Sequence, residues 1–512
     1  MIFMEKEFYI TTAIDYVNGK PHLGHAYEKI GADVMARFKR LQGVETFLMV
    51  GTDEHSLNVA RKAAEEGTPV REYCDRMAAA FIDAYQRLRI SYDRFIRTSD
   101  VDHRQTVRQM VAELWDRGLI TKGSYAGWYC ESCEAFLDEE QLSGDKCPVH
   151  PGKAAAWVAE DNYFFTLSRF QDKLLSYIEA NPGFIRPESR KNEIVNRIKE
   201  GLKDISISRA TAAWGIALPM DESQVVYVWF DALMNYATGA GFLKPAEFAG
   251  RWPADIHIIG KDIIWFHCVI WPAVLMALDI PLPETIFAHG FINSKGAKLS
   301  KSAGNSIDPL DLIRDYGLDA LRYYLLRNAP WGGDVEFSTD GLVKTFNSDL
   351  ANDYGNLLSR STAMIDKYCG GIIPETGGRD ILDEEIESLA AEVVRQFNDL
   401  MEAMDFSGAL AAVWRLIRRT NKYLDETAPW SLAKDEANRE RLGSVLYHIA
   451  EVLRIATILV TPFLAETPEK FWRQLGLDGD VRSQRLSDAT WGRLPAGISI
   501  RRGEAVFPRI EK

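Results

Sequence analysis

The sequence contains neither GxxxxGKS/T nor GxGxxG, so the two common glycine-rich phosphate cradles are missing. Cysteine is scarce: Cys74, Cys130, Cys133, Cys147, Cys268 and Cys369 are all there is in 512 residues, too few and too irregular for a disulfide framework. No apolar run is long enough to span a bilayer, since the stretch Phe266–Leu278 is short and broken by Pro272. The start, MIFMEKEFYI, has no apolar signal core. These absences point to a cytoplasmic chain without a membrane partner. An excess of positive charge is missing too. Sixty Lys and Arg face 73 Asp and Glu for a net charge of −13, which excludes a uniformly basic coat but not a local basic patch. No repeat or low-complexity stretch occurs, and 46% hydrophobic with 26% charged residues is ordinary globular composition. The length implies roughly three to four units.

What is present alternates strand and helix. Phe8–Thr12 and Thr46–Val50 read as buried strands, with a helix to about Arg40 between them. A helix from Pro69 to Leu88 and a strand at Arg94–Arg97 follow, and the pattern returns at Ile256–Ile259 and Thr285–Ala288. This is a parallel α/β sheet split by an insertion of about 110 residues. Beyond about residue 340 the pattern turns helical. Apolar stripes run through Ile386, Leu389, Val393 and Phe397, then Leu410, Val413, Ile417 and Leu424, then Val445, Ile449, Val452 and Ala456. Gly370–Gly378 resembles a linker, and the segment from about Gly492 an extended tail.

Two short elements stand out. Pro21-His22-Leu23-Gly24-His25 follows the first strand and opens a helix. A helix N-terminus favours an anion, Gly24 allows close approach, and two imidazoles at i and i+3 can donate to phosphate oxygens. Taken alone, the segment is equally a turn with two surface histidines. Lys298-Leu299-Ser300-Lys301-Ser302 makes a polar, cationic loop, which alone is a solvated loop as readily as a site. In this order within a split α/β pattern, HLGH and KLSKS resemble the HIGH and KMSKS signatures of class I aminoacyl-tRNA synthetases. The stretches TTAIDYVNGKPHLGHAY, VGTDEH, YVWFDALMNY, IIGKDIIWFHCVIWP, HGFINSKGAKLSKS and DALRYYLLR are similar to the methionyl-tRNA synthetase family. There is no room between His25 and Lys298 for the large editing insertion of the branched-chain enzymes.

The resemblance implies a class I Rossmann-type fold split by a zinc-bearing connective insertion and followed by an all-α anticodon-binding bundle. It implies a ligase that joins methionine and ATP into methionyl-adenylate, then passes methionine to the terminal ribose of tRNA(Met). The substrate carboxylate is already ionised, so catalysis reduces to in-line positioning and charge stabilisation on the phosphates. Carried over, His22, His25, Lys298 and Lys301 are catalytic. Gly24, Gly260, Asp262 and His289 join His22, His25 and Lys301 around ATP and its Mg²⁺. Asp53 pairs with the methionine ammonium. Ala13, Ile14, Tyr16, Trp229, Ala232, Leu233, Tyr236, Phe266, His267 and Trp271 form the side-chain pocket, where rings suit a polarizable sulfur. Without the resemblance, ordinary core packing would explain most of these aromatics.

Within or beside the matching stretches the sequence departs from the family at three positions. Asp15 stands where Pro or Tyr is usual and is expected to face away from the phosphates. Ser56 replaces a usual Gly, and Leu299 replaces Met with little change of volume.

Cys130-x2-Cys133, thirteen residues, then Cys147-x2-His150 has the spacing of one closed, structural Zn²⁺ site, the alternative being four unligated side chains. It resembles the single zinc knuckle of bacterial-type members of the family. Arg415, Arg418, Arg419 and Lys422 share one helix face and form a candidate phosphate-facing strip, although a solvated helix face reads the same way. The resemblance assigns anticodon reading to Asn356, Arg360 and Trp430. The expected parts are 1–116 and 226–295 for the catalytic fold, 117–225 for the insertion, 296–355 for the loop and stem-contact segment, and 356–512 for the anticodon bundle. A monomer is expected, because no appended dimerising domain follows the bundle. The rivals are another short-insertion synthetase, such as the cysteine enzyme, and a non-catalytic tRNA- or zinc-binding protein.

Overall fold

Strand β1 (Phe8–Thr12) is a short apolar run with four of five residues buried, as a strand covered on both faces requires. The chain continues through β2 (Asp15–Tyr16), α1 (Leu23–Leu41), β3 (Thr46–Asp53), α2 (Leu57–Glu65), α3 (Val70–Arg87), β4 (Arg94–Arg97) and α4 (Val101–Asp116). The computed structural model describes residues 6–130, 135–137, 142, 144–147, 150–210, 214–294, 296–298 and 307–511. It divides into two compact units. The first is Met1–Ala32, Thr46–Arg87 and Tyr92–His289, and the second is Asp33–Glu45, Leu88–Ser91 and Gly290–Lys512.

The first unit holds a parallel sheet ordered Ile185–Arg186, Thr285–His289, Ile256–Gly260, β1, β3, with β2 and β4 also paired to β3. β1 lies between β3 and Ile256–Gly260, with Ile10 in register with both Leu48 and Ile256. The strand order reverses there, and in open α/β sheets ligands bind at the carboxyl ends of strands flanking such a point. Between the two halves of the sheet the chain builds an antiparallel sheet. β5 (Ile120–Cys130) pairs with Ala156–Phe165 from Ile120↔Phe165 to Tyr129↔Ala156, flanked by Ala135–Leu137 and Ile205–Ser206.

Helix α2 is an addition to the expected elements. Ser56 caps it, its hydroxyl accepting the Val59 N–H at 3.1 Å, so this replacement of a usual glycine has a structural job.

The second unit is mainly helical, with Leu318–Arg327, Asn356–Cys369, Ile381–Glu402, Phe406–Thr427 and Arg439–Val460 among its longer helices. The expected apolar stripes are buried throughout, except that Leu389 is half-buried and Ala390 beside it is buried. Among the described residues, Glu436–Val460 is long and apolar enough to cross a bilayer by length and composition, but its apolar part, Leu442 to Val460, is buried throughout. The tail is docked rather than loose: Ile373 N–H donates to Ile498 O at 2.9 Å, and the Phe507 ring packs near Tyr354, Phe346 and Phe471. Arg322 is completely buried. It donates to Asp33 at 2.6 Å and to the carbonyls of Leu88, Phe463 and Pro462 at 3.1, 2.8 and 3.2 Å.

Candidate active site

Helix α1 starts at Leu23 with no acidic residue in its first turn, so its amide end keeps its preference for an anion. The two histidines beside it are half-buried, not surface groups. Their rings stack at 3.7 Å and 15°. Gly24 N–H donates to His22 Nδ1 at 3.1 Å, and His22 N–H donates to His25 Nδ1 at 3.2 Å. With both Nδ1 atoms accepting, each neutral ring carries its proton on Nε2. A side chain at Gly24 would meet the His22 ring at 3.0 Å, so the fold-back of that ring depends on glycine here.

Asp15 faces inward, contrary to the expectation. It is buried, with Lys29 Nζ at 2.8 Å, a hydrogen bond from the Tyr85 hydroxyl, and His25 Nε2 3.8 Å away. The physical reason is Lys29, a fully buried cation that needs counter-charge. Its ammonium also pairs with Glu28 at 2.7 Å and donates to Ala13 O at 2.9 Å. Burial works against the charged Lys29, but Asp15 and Glu28 outweigh it and hold its pKa above the usual range. Burial pushes the Asp15 carboxyl up, against the pull of Lys29. Glu28 ends below its usual range, because Lys29 and His289 overcome the same burial effect. His289, closing its strand, sits 3.0 Å from Glu28. Gly260 closes the neighbouring strand in register with it. A Cβ on Gly260 would lie 2.7 Å from an Asp262 carboxylate oxygen and 4.0 Å from His289 Nε2, which brings the three expected nucleoside contacts together.

The expected methionine-pocket residues also gather at the strand ends. Asp53 is buried at the end of β3. Trp229 stacks on Phe266 at 4.1 Å and meets Tyr16 edge-on at 5.8 Å, while Ala13 and Ile14 are half-buried beside the core. Ala232 and Leu233 are buried on the helix Val228–Leu233, which also carries Trp229. Tyr236 and His267 are buried and joined, hydroxyl to Nε2, at 2.7 Å. His267 Nδ1 lies 2.9 Å from the Ile263 carbonyl, which only a donor can satisfy. Nε2 is therefore the acceptor and the tyrosine O–H the donor. Burial, only partly opposed by the bond to Ile263, lowers the His267 pKa to about 4. Trp271 lies in the layer beneath, fully buried, its indole N–H donating to His257 at 3.3 Å. His257 stacks under Tyr236 at 4.3 Å.

Three groups supporting the site have no signal in the sequence. Asp231, on the same helix as Trp229, is fully buried between His55 at 2.7 Å and His103 at 2.6 Å. Burial raises its carboxyl, and the two imidazoles more than reverse that. Glu54 is buried against Arg97 at 2.6 Å, next to Asp53 in the chain. His257 is the third.

Lys298 pairs with Asn293 in a short antiparallel ladder, but its side chain and Lys301 lie outside the described residues. Of the four expected metal ligands, Cys130 ends β5 and Cys147 is in register with His150, and both cysteines are buried. Cys133 and the His150 side chain lie outside the described residues. Among the described residues no group of three His, Cys, Asp or Glu gathers as a metal site.

In the second unit, Asn356 is exposed at the head of its helix, Arg360 pairs with Asp425 at 2.8 Å, and Trp430 is 41% exposed after the left-handed Ala428 and Pro429. The expected cationic strip is not bare. Arg415 pairs with Glu392, Arg418 with Asp349 and Asp353, Arg419 with Glu385 and Glu426, and Lys422 with Glu426. The acids come from neighbouring helices and from the strip's own helix, so its charge is largely neutralised.

The family model of class I tRNA synthetases (M) matches residues 8–156 and 150–362, and that of the anticodon binding domain of methionyl tRNA ligase matches 373–512. The chain is 47% identical over 510 residues to the methionine–tRNA ligase of Caldanaerobacter subterraneus subsp. tengcongensis, covering 99% of this chain and 80% of that one. It is 46% identical to the methionine–tRNA ligase of Bacillus subtilis, covering 98% and 78%. The methionyl-tRNA synthetase of Mycobacterium tuberculosis in complex with methionyl-adenylate superposes with a TM-score of 0.95 at 41% identity, covering 98% of this chain and 100% of that one. Its apo form gives 0.89 at 38%.

Proposed function

The chain belongs to the class I methionyl-tRNA synthetase family, and from that premise we propose which of its residues carry each part of the reaction. It is a methionine–tRNA ligase that activates methionine with ATP to methionyl-adenylate and pyrophosphate, then charges tRNA(Met).

Asp53 receives the methionine ammonium at the end of β3. Ala13, Ile14, Tyr16, Trp229, Ala232, Leu233 and Phe266 surround the side chain, with Tyr236 and His267 against the thioether and Trp271 supporting from below. A neutral His267 suits an uncharged sulfur, since burial outweighs the pull of Glu28 and Asp262 and disfavours the imidazolium. Gly260, Asp262 and His289 hold the nucleoside. Gly24 lets the triphosphate approach the helix end, where His22 and His25 offer Nε2–H donors. Lys298 and Lys301 spread the charge that develops as pyrophosphate leaves. Mg²⁺ enters with ATP, held mainly by its phosphates. Asn356, Arg360 and Trp430 read the anticodon; the exposed indole after Pro429 suits stacking on an unpaired base.

Cys130, Cys133, Cys147 and His150 hold one Zn²⁺. The burial of Cys130 and Cys147 and the Cys147↔His150 register fit a closed tetrahedral site. The metal would stabilise the fold of the insertion and take no part in the reaction. A reducing, cytoplasmic setting suits these thiolates.

The observation that carries the site assignment is the placement of HLGH, Asp53 and the Gly260–Asp262–His289 cluster at strand ends of one parallel sheet, with the Tyr236–His267 pair stacked against His257 of that sheet. The test is ATP–pyrophosphate exchange across all twenty amino acids, in the wild type and in Asp53→Ala and His22→Ala. Exchange should require methionine and fall by about 100-fold or more in both variants. Variants of wild-type activity would reject the residue assignment.

A further inference from the structure

Between two of the histidines assigned to the nucleotide, His25 and His289, runs an unbroken line of charged contacts through buried groups: His25, Asp15, Lys29, Glu28, His289. We propose that Asp15 is a positioning residue for the activation step, holding His25 as an Nε2–H donor, and that Lys29 is the counter-ion that makes this carboxylate tolerable beside a triphosphate. The proposal rests on the reading of His25 as a phosphate contact.

His25 Nδ1 accepts the His22 N–H, so the ring proton is on Nε2, the nitrogen 3.8 Å from Asp15 Oδ1. That distance is beyond hydrogen-bond reach, so the anion orients the N–H without forming a hydrogen bond to it. The ring is also packed by His22, stacked at 3.7 Å, and by the tilted ring of Phe81 at 5.3 Å. Asp15 cannot swing away: Lys29 at 2.8 Å and the Tyr85 hydroxyl fix both its oxygens.

A lone carboxylate here would repel ATP. Lys29 cancels it from a fully buried position, and Glu28, which also draws on Lys29, faces His289. The charged and titratable groups around His25 are Asp15 from β2, His22 before α1, Glu28 and Lys29 from α1, Tyr85 from α3, and His289 from the sheet. Of these carboxylates, Asp15 approaches the ring to within 4 Å.

The experiment uses the full chain and methionine-dependent ATP–pyrophosphate exchange. Asp15→Asn keeps acceptors and donors for Lys29 and Tyr85 while removing the charge. Its kcat should fall about fivefold or more with the KM for methionine changed by less than about twofold. In ¹⁵N spectra of the ring, the His25 proton should move partly from Nε2 to Nδ1, with His25 assigned by the resonance lost in His25→Ala. A wild-type kcat, or a fall in kcat with an unchanged His25 spectrum, would overturn the proposal. Lys29→Met should raise the KM for ATP about tenfold, and adding Asp15→Asn should bring it back to within about threefold. No rise in the single variant, or no recovery in the double one, counts against the counter-ion role. His25→Ala separates the two levels of the argument. If it retains full exchange activity, the reading of His25 itself fails; if it is impaired while Asp15→Asn is not, only the present inference fails.

Discussion

Acidification should weaken the folded methionine site through His267, and the effect can be sized from its surroundings. The ring is buried against Tyr236 and the Ile263 carbonyl, and its pKa is lowered by burial from the usual 6.5 to about 4. Above pH 6.5 the histidine is neutral in folded and unfolded chains, so its titration has no effect on stability. As pH falls from 6.5 to 4 the unfolded chain takes up a proton that the folded site refuses. Stability then drops by about 1.4 kcal/mol per pH unit, to a full loss of about 3 kcal/mol below pH 4. His257, pushed well below its usual range by burial and by His267, acts in the same direction. A variant is therefore needed to isolate the effect. His267→Gln keeps a non-titrating acceptor for the Tyr236 O–H. The assay is urea unfolding at pH 7, 6, 5 and 4, read on the transition that added methionine moves to higher urea. The stability of wild type relative to the variant should fall by about 3 kcal/mol between pH 7 and 4. Curves that stay parallel within about 1 kcal/mol would refute the burial argument. Methionine affinity gives a second check. At pH 6 only about 1% of folded His267 is protonated, against about 76% for an ordinary histidine, so calorimetry should show no step in affinity near pH 6.5.

Other perturbations follow from the same geometry. Arg322→Met removes four buried hydrogen bonds and one charge facing Asp33, and should lower the stability of the second unit by about 3 kcal/mol in thermal unfolding; a loss below about 1 kcal/mol would contradict it. Trp430→Ala should reduce kcat/KM for tRNA by roughly 5- to 150-fold while leaving methionine-dependent exchange unchanged, and equal loss in both assays would reject the stacking role. Arg415→Ala should change the KM for tRNA by less than about twofold and leave the salt slope almost unaltered, because Glu392 already holds that cation; a slope reduced by a full unit would show that it meets a phosphate directly. Metal analysis should find about one zinc per chain, lost in Cys147→Ser together with thermal stability of the insertion, and a zinc-free, equally stable wild type would exclude the site.

The parts of the fold that were legible are those in which one short stretch carries its own signal. FYITT and TFLMV are apolar runs with no alternative to a covered strand, and the Leu410–Val413–Ile417–Leu424 stripe has a helical period and is buried at every position. The helix start at HLGH was legible because its signal is local, whereas the roles of its two imidazoles came from the family resemblance. What could not be read depends on partners far apart in the chain. The direction of Asp15 is set by Lys29 and Tyr85, fourteen and seventy positions away. Asp231 meets its histidines across separations of 128 and 176 residues. Apolar periodicity marks which face of a helix is inside but says nothing about a buried charge, whose position is chosen by its counter-ion. Helix α2 escaped because it is nine residues long and only two of them, Val59 and Ala63, are buried.

Buried and surface charge serve opposite ends in the two units. In the first, carboxylates are matched one by one with cations or imidazoles: Asp15 with Lys29, Glu28 with Lys29 and His289, Glu54 with Arg97, Asp231 with His55 and His103. Removing any one partner leaves a charge in a low-dielectric surrounding, so these pairs hold geometry more than they add net stability. Such matching lets a site lined with acids accept a polyanion. In the second unit the arginines of the strip are already occupied by Glu385, Glu392, Asp349 and Asp353. A phosphate that meets them displaces a carboxylate partner and gains little, which is consistent with a chain of net charge −13. On the proposed anticodon assignment, discrimination among tRNAs would fall to groups that gain something only the right loop can supply. The exposed indole of Trp430 would be such a group, because stacking an unpaired base removes apolar surface from water with no ion pair to break first.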